Sequence, residues 1–69
     1  MSGSWILAIL TPKLQDGDLA VRERAAVAIG YMGNEGAPAK SALETAVGKA
    51  SNEREKRLMQ WAVRQVEKE

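Results

Sequence analysis

Residues 14–33 read LQDGDLAVRERAAVAIGYMG, and this stretch decides the fold. It opens on a turn cluster, Asp16-Gly17-Asp18, and runs into a second, Gly33-Asn34-Glu35-Gly36. Between them Val21, Ala25, Ala28, Ile29 and Met32 recur at i, i+4, i+7, i+8 and i+11, one stripe of a 3.6-residue helix. Ala26, Val27 and Tyr31 add apolar groups on other faces, and Arg22, Glu23 and Arg24 are the main polar interruptions. A helix apolar nearly all round is enclosed by neighbours, so this one is expected at the centre of a helical domain. Asp18 is placed as its N-cap, favoured there by the helix dipole. Gly33 suits its C-terminal cap, and Gly30 suits a close approach by another helix.

Three further helices are expected around it. The first, about 4–15, aligns Ile6, Leu7, Leu10 and Leu14 on its inner side, and Pro12 should kink it or split off its last turn. The third, about 38–50, starts at Pro38, where a missing N–H costs nothing. Its inner face carries Leu43, Ala46, Val47 and Ala50, with Ala39 and Ala42 beside them. The fourth, about 53–68, places Leu58, Met59, Ala62, Val63 and Val66 on one broad face. Asn52 caps it, and Glu55 completes a capping box. No turn-bounded stretch alternates strictly between apolar and polar residues, so the fold class is all-α.

The chain has 69 residues, enough for one small domain, with 10 Lys+Arg against 9 Asp+Glu. That near balance speaks against a mainly electrostatic nucleic-acid binder. Cys and His are absent, which removes disulfides, thiolate nucleophiles, imidazole relays and most metal-ligand sets. No cofactor is expected. The apolar run WILAIL, residues 5–10, is far short of the roughly 20 residues a membrane span needs, and no basic residue precedes it. It reads as a core-facing helix, and a cytoplasmic location is the default.

An internal repeat emerges on shifting the chain against itself. At a shift of 36, Leu7 meets Leu43, Leu10 meets Ala46 and Leu14 meets Ala50. At 35, Arg22 meets Arg57; at 34, Ala28, Ile29 and Met32 meet Ala62, Val63 and Val66. The chain thus reads as helix–turn–helix twice, repeat one at about 4–33 and repeat two at about 37–68, within a single domain over 1–69. The acidic turn, Val21-Arg22, the Ala25-Ala26 pair and the small-aliphatic run ending in Gly33 resemble the HEAT-like repeat signature. They are especially similar to the variant named after phycobilisome (phycobilin) lyases. The likeness covers about 20 residues well and extends through 37–50. In 51–69 the pattern departs: Lys56-Arg57 stands for Val-Arg, and the closing glycine is gone. The resemblance implies a short α-solenoid that binds proteins, and in one branch handles bilin chromophores. It also implies that Arg22 reaches back to Asp16 or Asp18. Ala25, Ala26, Ala28 and Gly30 suit the thin layer between stacked hairpins.

No catalytic or metal constellation stands out. Asp16-Gly17-Asp18 fails as a calcium loop, because Val27 occupies the position where a bidentate Glu is needed; it reads as turn and cap. Gly30, Gly33 and Gly36 follow a helix rather than a strand and lack the Lys-Ser/Thr of a phosphate loop. The basic run Arg54, Lys56 and Arg57, with Arg64 further along, is interleaved with Glu53, Glu55, Glu67 and Glu69 and reads as a solvated face. Arg57 and Arg64 share a side and would suit an acidic or phosphate-bearing partner. Trp61 lies roughly 60° from Leu58 on the helical wheel, at the edge of the apolar face. It either folds over the core or stands out as an anchor. Two repeats are few for a solenoid, and apolar ends near Trp5 and Leu58/Trp61 would stay uncovered.

The function expected is therefore a small non-enzymatic adaptor, binding a protein partner or a second copy as a homodimer through Trp61, Leu58, Trp5, Arg57 and Arg64. The resemblance supplies an alternative, a phycobilin lyase-like or phycobilisome-associated accessory protein. Nucleic-acid binding through Arg54, Lys56, Arg57 and Arg64 is the least expected.

Overall fold

The computed structural model describes residues 4–68, and the described residues are helical with no strand. In order they form α1 (Ser4–Lys13), α2 (Leu19–Tyr31), a 3-10 helix (Gly33–Ala39), α3 (Lys40–Gly48) and α4 (Glu53–Glu67). The turn chemistry sets the ends. Asp18 accepts the Ala20 N–H at 2.9 Å, and Asp16 accepts the Asp18 N–H at 2.8 Å, so the acidic turn starts α2. Gly33 has φ +59°, a left-handed conformation that a Cβ disfavours, and α2 stops before it. Asn52 accepts the Glu55 N–H at 2.8 Å and starts α4. The two caps, Asp18 and Asn52, stand 34 positions apart, the shift at which α2 maps onto α4.

Pro12 acts as its chemistry requires. It has no N–H to continue the ladder, and the chain leaves α1 through tight i→i+3 bonds from Leu14, Gln15 and Asp16 to Thr11, Pro12 and Lys13. The third helix is shorter than the periodicity suggests. Pro38 falls in the 3-10 helix, and α3 spans Lys40–Gly48 only. Gly36 in the same segment is buried. A Cβ there would lie 2.7 Å from Val66 Cγ1 and 2.8 Å from the Ile29 carbonyl oxygen, so this segment is drawn tightly across α2 and α4.

The core is one cluster: Leu7 and Leu14, Ala25, Ala26 and Ile29 of α2, Ala39, Leu43 and Ala46, and Met59, Ala62 and Val66 of α4. Helix α2 is not its sole centre. Helix α4 packs on α2, α3 and the 3-10 helix, and it supplies Met59 to a cluster where α2 contributes mostly alanines. The outer arc of α2 is wet: Ala20, Arg24 and Tyr31 are exposed, and Val21, Val27 and Ala28 only half-buried. Helix α1 also departs from expectation. Leu7 and Leu14 are buried and Leu10 half-buried, but Ile6 lies outside. WILAIL faces the core along one line only, because α1 packs chiefly on α2 and the 3-10 helix and has its far side open. The described part measures 35 × 22 × 16 Å along its principal axes.

Candidate functional site

The most polar point of the interior is Glu55, 1% exposed in the first turn of α4. Its position is set by the apolar stripe itself, since residues 55, 59, 62 and 66 recur at i, i+4, i+7 and i+11 and all four are buried. Arg22 of α2 answers it, with Nε donating to Oε2 at 2.7 Å and Nη2 to Oε1 at 3.3 Å. Ser51 donates its N–H and its hydroxyl to Oε1 at 2.8 and 2.9 Å. The capping box is thus displaced by one residue, for Glu55 reaches the N–H of Ser51 rather than that of Asn52. Arg22 also donates through Nη1 to the Asp16 carbonyl oxygen at 2.8 Å, so it does reach back to the acidic turn, but its main partner is across the helices.

The hydrogen bond from Arg22 holds the Glu55 carboxyl well below the usual range, at about 2, against the opposing effect of burial; the two Ser51 donors act in the same direction as Arg22. The same pairing raises Arg22 above its ordinary value. A carboxylate held at about 2 is a weak base near neutral pH. Beside it lies a cleft of about 360 Å³ whose lining includes Gln15, Arg22, Lys49 and Ser51, the last with its hydroxyl turned to Glu55. The group clasps α2 to α4. Among the described residues no cluster of three or more His, Cys, Asp or Glu side chains is placed to hold a metal ion. No described helix is long and apolar enough to cross a membrane.

The expected contact residues fall into two sets. Trp61 is half-buried against the core, its ring set over Gly30, and it meets Tyr31 edge-on with centroids 5.5 Å apart at 75°. A Cβ on Gly30 would come within 2.7 Å of Trp61 Cη2 and nearer still to Cζ3. Trp61 therefore fastens α4 to α2 with one edge showing, and Tyr31, 80% exposed, carries that aromatic surface outward. Trp5 takes no part in this pair and stands 55% exposed on α1, near Ile9 at 52%. Arg57 is occupied by Glu53 at 3.5 Å, and Arg54 by Glu23 at 3.3 Å, while Arg64 is exposed and makes no ion pair among the described residues. Lys40 holds Glu67 at 2.7 Å, which raises the lysine's pKa. Of the basic run of α4, Arg54 and Arg57 are thus paired with carboxylates, while Lys56, like Arg64, is exposed and makes no ion pair among the described residues.

Leu58 lines a groove of about 710 Å³ between α2 and α4, with Glu23, Val27, Ala28 and Arg54. Glu23 Oε2 is buried and has no hydrogen-bond partner. A second groove, about 410 Å³, runs between α1 and α2 over Leu10, Lys13, Val21, Arg24, Ala25 and Ala28. The periodicity of α2 carries no sign of these grooves. They exist because the helix has neighbours on two sides, with Arg24 and Ala28 left on the ridge between them. A comparison with protein families, curated proteins and solved structures finds no match.

Proposed function

We propose that the chain is a small non-enzymatic interaction module, built as two stacked hairpins of the HEAT-like type and working in the cytoplasm. The pairing of α1 with α2 and α3 with α4, and the 34-residue spacing of the two N-caps, support the hairpin reading. The observation that carries the function is the exposed apolar side of α1, Trp5 and Ile9 with Ile6 beside them, bordered by grooves over α2. Apolar side chains held in water by a folded helix mark a surface that another molecule covers. The polar interior is consistent with this reading, since Glu55 and Arg22 are taken up by each other in the clasp.

The test is affinity capture from native lysate with mass spectrometry, using Ile9→Asp as the control bait. One protein recovered in stoichiometric amount by the wild type and lost with the variant supports the module. An empty capture from a monomeric chain sinks it.

A further inference from the structure

Two unpaired cations flank an apolar groove on this molecule. Lys13 and Arg24 both line the α1–α2 groove, both are exposed, and neither makes an ion pair among the described residues. The rest of that groove is apolar, and no carboxylate lines it. Arg24 and Ala28 also line the α2–α4 groove, so the two grooves flank a single ridge. There Arg54, 81% exposed, is paired with Glu23, the one carboxylate of that groove, whose second oxygen is buried. On α1, Ile6, Ile9, Leu10 and Lys13 recur at i, i+3, i+4 and i+7, so two exposed isoleucines extend the same side.

We propose that this double groove docks an acidic amphipathic helix of a partner protein. The inference rests on the interaction-module reading above and names its partner class. Apolar side chains of such a helix would settle over Leu10, Val21 and Ala28, and its carboxylates would meet Lys13 and Arg24. Two grooves flanking a ridge accept the ridges of another helix. The ridge helix α2 is 13 residues, about 20 Å, long, so a partner helix of about 15 residues would cover it. Charge decides against the other occupants. A second copy laid groove to groove would bring Lys13 and Arg24 to a surface whose unpaired charges are again only cations, which gives no attraction. A nucleic acid would place phosphates over an apolar floor that contains no stacking aromatic.

The test is a phage-displayed library of helical peptides of about 16 residues, selected on the whole chain. Leu is fixed on one stripe, and Glu, Lys, Gln and Ala are mixed elsewhere. The expected outcome is enrichment of Glu over Lys by about threefold or more. Binding of the selected peptides should fall about tenfold in Arg24→Glu, and again as salt rises. Lys13→Glu, read beside unchanged helicity by circular dichroism, guards against a fault in folding. Lys-rich selected peptides, binding indifferent to both variants, or no binder at all would overturn the proposal. So would a chain dimer blocked by Ile9→Asp, or an oligonucleotide released by Arg24→Glu. Lys-rich peptides beside a successful lysate capture would sink the acidic partner alone; no peptide and no capture would sink the module with it.

Discussion

Where α2 meets α4, a buried carboxylate receives four hydrogen bonds and a tryptophan ring is fitted over a glycine. Along α1, isoleucines and a tryptophan stand in water, and a lysine has no counter-ion among the described residues. The first region spends its chemistry on holding the chain together. The second leaves its chemistry unspent, although it carries the most apolar run in the sequence. Hydrophobicity along the chain thus does not sort the stabilising residues from the available ones; the neighbours each helix acquires do.

The largest effect expected from this contrast is at Glu55. Glu55→Ala should cost about 3 kcal/mol, because it strips Arg22 of its partner at a buried site. For 69 residues, whose whole stability is roughly 3–10 kcal/mol, that is a large share. Urea denaturation at neutral pH measures it. The carboxyl titrates near 4.5 when unpaired and at about 2 when folded, so a folded-state depression is at work. Its stabilisation is fully present above about pH 4.5 and is lost as pH falls toward 2. In Glu55→Gln that part of the acid dependence should flatten. An unchanged acid profile would mean that the clasp contributes nothing.

Next in size is Gly30→Ala, about 1 kcal/mol destabilising, since the new methyl displaces the Trp61 ring from α2. Its sign should reverse in a Trp61→Leu background, where Ala over Gly in a helix stabilises by about 0.5–1 kcal/mol. Additive effects in that double-mutant cycle would break the account of the seam.

Gly30 and Glu55 also mark how far the amino-acid sequence alone reaches. Gly30 is legible as a place of close approach, and Asp18, Asn52 and Gly33 as helix ends, because each acts on backbone within a few residues or through its own lack of a side chain. Leu43, Met59 and Val66 are legible from period alone. Glu55 is legible only as a cap. The signal that it goes inward, its place on the stripe with Met59, Ala62 and Val66, conflicts with the rule that carboxylates stay out, and only the arrival of Arg22 from 33 residues away resolves the conflict. Gly36 hides in a turn cluster, since its role depends on a carbonyl and a valine brought over it by the fold. The α1 face escapes the periodicity for the same reason. Ile6 and Leu7 are equally apolar neighbours, and which one is covered is settled by where α2 and the 3-10 helix lie.

The smallest effect is the one that separates the two regions most cleanly. Ile9→Ser should change stability by less than about 0.5 kcal/mol, because the side chain is half in water already and leaves no cavity behind. In an ordinary core the same exchange would be among the most damaging available. Thermal or urea unfolding of the variant decides the matter. A loss of about 2 kcal/mol or more would show that Ile9 is covered in the folded chain, and the open side of α1 would then belong to the core. A neutral result, with the wild type more prone than Ile9→Ser to associate at high concentration, would show stability and exposed apolar surface to be separable here. The α1 face then adds nothing to folding, and its isoleucines are free for the contact proposed above.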